Sequence, residues 1–355
     1  MKSTITTKPK INILNICKFS FTIIGTLIGA GFASGKEITT FFGCFGTFGY
    51  VFIFLFCIIF ALGVFYFSSI DPSSIPALLN KLINIAIFVS EIISITAMMA
   101  GLCSVMSMLF INDIPFYLAL TLIFLIIICG LKGLTTTNLI LIPFLFVFIL
   151  IFGISGLSEI ESFNLAIINS SKMFKYLSLP LYIGLNLFSI FPIAIEFGKY
   201  QTKNERLTSS IVSATILFVL MLCFTVTILN IDSTSISAEL PLIIYVLTHR
   251  PNLVIISVIT LSIAIITTII SDGFVVRGML VCKGETFANV VFAVIFVGAY
   301  YFSGFGFAEI VENFYPINGF LGLLLITIIM YNNKKTKQHP TLLHISIRSK
   351  SPITN

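Results

Sequence analysis

Apolar residues run along this chain in blocks of about twenty or more, parted by short polar links, and that is the length a helix needs to cross the hydrocarbon of a bilayer. The blocks fall at 16–42, 46–69, 83–111, 114–131, 134–157, 177–198, 207–230, 253–276, 286–303 and 305–331. The pattern predicts an all-α polytopic membrane protein of about ten spans. Residues 1–15 precede a membrane domain at 16–332, and 333–355 form a basic polar tail expected to be disordered. Between the second and third blocks, Asp71-Pro72-Ser73-Ser74-Ile75-Pro76 reads as a turn-rich connection, followed by a separate amphipathic piece ending at Lys81. The link Ile231 to Asn252 holds an apolar piece of its own, Leu240 to Leu247.

The first block departs from a plain span. Gly25-Thr26-Leu27-Ile28-Gly29-Ala30-Gly31-Phe32-Ala33-Ser34-Gly35-Lys36-Glu37 carries four glycines in eleven residues. Each weakens a helix and bares backbone. Irregular backbone at membrane depth survives only where protein buries it or where it lines a cavity. The expectation is a broken helix: an inner half from Ile16 to Ile28, an unwound turn over Gly29 to Gly35, and an outer half to Phe42. That makes Gly29, Ala30, Gly31, Phe32 and Ser34 candidate substrate-binding residues. The competing reading is helix packing, since Gly25-x-x-x-Gly29 and Gly31-x-x-x-Gly35 are small-xxx-small patterns. A signal peptide is disfavoured because another apolar run follows almost at once.

The second half repeats the first in outline. The sixth block carries Pro180, Gly184, Asn186 and Pro192, which predicts a second interrupted helix. A proline followed by a short apolar stretch comes after block two (Pro76) and again after block seven (Pro241). Five spans separate each pair, so the second unit, about 177–332, is inverted against the first, about 16–157. Inverted repeats with broken first helices place substrate and ion sites at the midplane.

Composition narrows the class. The chain of 355 residues is 57% hydrophobic and 10% charged, which excludes a soluble globular domain. Of its 20 lysines and arginines, Lys172, Lys175 and Arg250 fall on one side of the ten spans, Lys36 lies inside the first, and the other 16 fall on the opposite side. That bias predicts that both termini lie on the cytoplasmic side. The seven cysteines have no C-x-x-C spacing and read as small hydrophobes. Nothing in the sequence calls for a nucleic-acid partner or a bound cofactor.

Several polar positions stand out inside the apolar blocks. In block eight, Ser257, Thr260, Ala264, Thr267 and Ser271 share one helix face, and Thr268 adjoins it. Adjacent threonines with a carbonyl one turn earlier offer hard oxygens to a small cation. Taken alone, the hydroxyls more simply bond back to the i−4 carbonyl. Block three presents Ser90, Ser94, Ala97, Gly101 and Ser104 on one side, suited to packing on the broken helices. Tyr182 and Asn186 lie one turn apart in block six and are further substrate-binding candidates; Asn186 should face the interior, there touching substrate or satisfying freed backbone. Among the acids, Glu37 and Glu91 are possible proton carriers, Glu37 alternatively capping the outer half-helix. Glu196 and Asp272 are expected to meet water near the cytoplasmic ends. Gly153-Ile154-Ser155-Gly156 matches the motif of intramembrane serine proteases, but the histidines, His249, His339 and His344, all lie outside the spans. An enzyme is not expected.

Ile28-Gly29-Ala30-Gly31-Phe32-Ala33-Ser34-Gly35-Lys36-Glu37-Ile38, with Phe41-Phe42, resembles the opening of YkvI-type bacterial membrane proteins. Gly304-Phe305-Gly306-Phe307 and Tyr315-Pro316-Ile317-Asn318-Gly319-Phe320-Leu321-Gly322 resemble the same group. These proteins are relatives of the amino acid–polyamine–organocation superfamily, so the resemblance implies a LeuT-type fold. It further implies a sodium site using the carbonyls of Gly25, Ile28 and Ala264 with the hydroxyls of Thr267 and Thr268. The backbone N–H groups of Ala30 and Gly31 would meet a substrate carboxylate. The Asn that many members carry after this turn has no counterpart, which argues against a second sodium site. The expected function is secondary active transport of a small amine or amino acid by sodium symport, with substrate held between helices one, three, six and eight. The alternatives are proton coupling, or a ligand sensor of the same fold without transport.

Overall fold

The computed structural model describes residues 12–71, 75–157, 172–228 and 240–338. They form helices: α1 (Ile13–Leu27), α2 (Ala30–Ala33), α3 (Lys36–Phe42), α4 (Gly49–Ser68), α5 (Ala77–Leu109), α6 (Ile114–Ile128), α7 (Gly130–Leu157), α8 (Lys172–Gly198), α9 (Lys203–Ile228), α10 (Pro241–His249), α11 (Val254–Leu280), α12 (Glu285–Phe302) and α13 (Phe307–Gln338). Eight of them are long and apolar enough to cross a membrane, and Ile13–Leu27 and Ile114–Ile128 are shorter apolar helices. The protein is an all-α, multi-pass membrane protein.

The first block is broken. Asn12 caps α1, accepting from the N–H groups of Leu14 and Asn15, and its own N–H donates to Glu205 at the start of α9 (2.9 Å). The helix ends at Leu27. One short helical turn, α2, stands inside the stretch expected to be unwound, so the chain bends twice, at Ile28–Gly29 and at Ser34–Gly35. Gly35 takes φ 81°, a left-handed conformation that glycine adopts without cost.

Three expectations are corrected. The sixth block is one continuous helix, α8, in spite of Pro180 and Pro192. Gly184 serves packing there instead of a break. A side chain at Gly184 would collide with the Gly319 carbonyl of α13, and one at Gly322 would collide with the Gly184 carbonyl. α8 and α13 therefore touch backbone to backbone along a helix that stays continuous. Second, the amphipathic piece after Pro76 is no separate helix but the first turn and more of α5. Its counterpart after Pro241 does stand alone as α10. Third, α13 runs to Gln338, past the expected end at 331. The first eleven residues, the link with Glu159 and Glu161, and the tail from 339 lie outside the described residues.

α1 packs against α7, α8, α9 and α11, α5 against α11, and α8 against α4 and α13. Phenylalanines fill the interior: Phe41, Phe42 and Phe56 close around the ring of Tyr182 with centroids 5.1, 5.1 and 4.8 Å away. Large apolar side chains such as Leu62, Ile154 and Val294 are 64–70% exposed on the outside. In water such a surface would drive aggregation, and in a bilayer it meets lipid.

Candidate functional site

The break in the first block brings together what the sequence kept apart. Gly25 and Ile28 are the last residues whose carbonyls lack a continuing helix. The Thr268 hydroxyl of α11 lies 3.1 Å from the Gly25 oxygen and 3.2 Å from the Ile28 oxygen. Three hard oxygens from two distant stretches thus meet in a buried place. Thr267, its neighbour, turns back into its own helix, donating to Ile263 and Ala264 (both 3.0 Å). Ser257, Thr260 and Ser271 do the same. Back-bonding describes the stripe, and Thr268 reaches across to α1 instead.

Beside this junction lies a cavity of about 40 Å³. The break contributes Thr26, Leu27 and Gly29, and α3 contributes Glu37. Ser90, Ser94 and Met98 come from α5, and Leu185, Asn186 and Ser189 from α8. Thr268 of α11 and Tyr315 and Asn318 of α13 complete the wall. Of the residues picked from the sequence as substrate-binding, Gly29 and Asn186 line the cavity. A Cβ at Gly29 would sit 2.9 Å from Met98 Sδ, so glycine is what lets α5 approach the break. Asn186 donates to the Tyr182 carbonyl (2.8 Å), which aims its amide.

The other candidates stand around the wall. The Ala30 N–H donates to Met98 Sδ (3.2 Å). Gly31 is covered by the Glu37 side chain. Phe32 packs edge-on against Phe224 of α9. Ser34 donates to the Gly31 carbonyl (3.3 Å), and its own carbonyl accepts the Leu242 N–H of α10 (3.0 Å), so α10 docks on the far side of the break. Tyr182 donates its hydroxyl to Glu37 Oε2 (3.2 Å).

Of the acids, Glu196 meets water as expected and pairs with Lys199 (2.5 Å). Asp272 does not. It is 1% exposed, one turn beyond Thr268, and lies against Glu91 of α5 (2% exposed) and Ser94. Its position along α11 placed it near an end, but the length of α11 beyond it and the packing of α5 enclose it. Tyr315 and Asn318 stood in the sequence only as part of a family motif and were not picked as site residues. They sit in a long apolar helix, and only the Gly184–Gly319 crossing brings that helix to the cavity. The Gly153–Gly156 motif packs: a side chain at Gly153 would meet Cys223 of α9, and the Ser155 hydroxyl donates to Phe152 (2.9 Å).

Comparison with known proteins agrees on the fold. A manganese transporter of Eremococcus coleocola, solved with an aromatic bis-isothiourea substituted compound, superposes with a TM-score of 0.52 over 94% of this chain and 89% of its own, at 12% identity. The uncharacterized protein YyaD of Bacillus subtilis is 27% identical over 88% of this chain and 96% of its own. No family model matches the chain.

Proposed function

We infer that this protein is a secondary active transporter, working by alternating access, which carries a small amine or amino acid with sodium. The observation that carries the reading is the meeting of Thr268 Oγ1 with the Gly25 and Ile28 carbonyls at the broken helix. A sodium ion at this junction would tie α1 to α11 through Thr268, with the Ala264 carbonyl one turn earlier, while Thr267 keeps its bonds within α11. The adjoining cavity, walled by the break, α3, α5, α8, α11 and α13, is where substrate would bind, and the two repeats would rock around it. The resemblance to YkvI-type proteins of the amino acid–polyamine–organocation superfamily supports this reading, as does a solved neighbour that is a transporter. The charge bias of the links supports cytoplasmic termini, and the resemblance to bacterial membrane proteins supports a plasma-membrane location.

One observation favours proton coupling as the second reading: Glu91 and Asp272, both buried, lie against each other beside the cavity. The test is uptake into proteoliposomes under a sodium gradient or a proton gradient alone. Sodium-driven uptake that Thr268→Ala abolishes is the expected result. Uptake driven by protons and indifferent to sodium selects the second reading. Ligand binding without flux in sealed vesicles identifies a sensor of the same fold.

A further inference from the structure

The geometry points to a substrate without a carboxylate: a small primary amine whose ammonium group is received by Glu37. This deepens the transport reading and rests on it. In a site built for an amino acid, the substrate carboxylate would sit at the start of the half-helix, on the N–H groups of Ala30 and Gly31. Here one of those donors is already used, and a carboxyl group stands beside the other residue. Ala30 gives its N–H to Met98 Sδ (3.2 Å). Over Gly31 lies the carboxyl of Glu37, so close that a Cβ there would collide with Oε1 and come within 2.9 Å of Cγ. A second carboxyl group brought to this turn would meet the Glu37 oxygens, where the Ala30 N–H and the Tyr182 hydroxyl are already engaged.

The rest of the wall matches a cation. Glu37 is 4% exposed, and the Tyr182 hydroxyl, clamped by three aromatic rings, holds Oε2 (3.2 Å). Among the described residues, no lysine, arginine or histidine lines the cavity. Hydroxyl and amide oxygens do, from Ser90, Ser94, Ser189, Asn186 and Asn318. An ammonium group has three donors and no acceptor, so oxygens beside the Glu37 carboxyl suit it, and Leu27, Met98 and Leu185 suit its short alkyl part. The cavity of about 40 Å³ has room for about three water-sized groups, the scale of methylamine or ethylamine.

Amino acids and their decarboxylated counterparts give matched probes. Thermal unfolding of the purified full-length protein in sodium is followed with ethylamine against alanine, and with methylamine against glycine. A ligand that binds the native state raises the transition by mass action. Ethylamine is expected to raise Tm in a dose-dependent way and alanine at equal concentration to leave it unchanged. Glu37→Gln, which keeps size and a hydrogen-bond acceptor, is expected to weaken the ethylamine response at least tenfold. Stabilisation by alanine or glycine equal to that by the amines overturns the proposal and leaves the transport reading standing. So does an unchanged ethylamine response in Glu37→Gln. Stabilisation by neither class, with or without a response to Mn²⁺, overturns the proposal and the amine-or-amino-acid reading together. The matched pairs on the unsubstituted protein decide the substrate class even where Glu37→Gln does not fold.

Discussion

The first span and the sixth were expected to break, one for its glycines and the other for its prolines, and only the first does. In α8 each proline removes one N–H, and the helix on either side continues. Its backbone is pressed against α13 through Gly184, Gly319 and Gly322, so bending would open a close-packed seam. At Ile28–Gly29 the freed carbonyls have somewhere else to go: Thr268 donates to two of them, and Met98 takes the Ala30 N–H. A buried helix therefore breaks where neighbours satisfy the exposed backbone, and helix-breaking residues alone do not decide the matter.

Four substitutions probe that contrast. The largest effect is expected from Gly184→Val, because the new side chain meets the Gly319 carbonyl, which is backbone and cannot rotate away. The loss should exceed the ~1–3 kcal/mol typical of an overpacked core and appear as failure to recover a monodisperse folded protein after extraction. Gly25→Ala comes next. Its methyl collides with the amide of Asn138 on α7, a side chain that is fully buried with neither polar atom hydrogen-bonded. About 1–3 kcal/mol of apparent stability should be lost. Asn138→Ala in the same chain should restore most of it, and a double-mutant cycle on Tm reads the coupling. A smaller loss, about 1 kcal/mol, is expected of Thr268→Ala, which removes the bridge to α1. Sodium-dependent stabilisation should vanish in that variant and survive in Thr267→Ala, whose hydroxyl bonds within its own helix. Equal sodium responses in the two would remove the distinction drawn between them. Pro192→Ala should do least. It supplies one N–H to a helix that is already continuous, so a change of under about 1 kcal/mol and unaltered uptake are expected. A large gain in helicity or loss of uptake would show that Pro192 bends α8 in a working state.

Much was readable along the chain because it depends on local properties. The apolar blocks match the helices, since burying twenty consecutive side chains in hydrocarbon leaves the backbone no other structure. The break near Gly29 followed from glycine density, and Gly25, Ile28 and Thr268 do come together. Other features were illegible for one shared reason: each depends on a partner distant in sequence. Gly184 reads the same whether it bends a helix or seats another against it. Asp272 lies four residues past Thr268, and only the full length of α11 and the approach of α5 bury it against Glu91. Tyr315 and Asn318 carried no polar pattern that set them apart within α13.

Hydropathy, glycine density and the charge of the links are properties of short stretches, and from them came a multi-span helical protein with a weak point in its first span. Tertiary packing settled which weak point opens, which threonine reaches across, and which carboxyl fills the turn at Gly31. Each of those outcomes depends on what lies a few ångströms away on another helix, and no local pattern carries that distance.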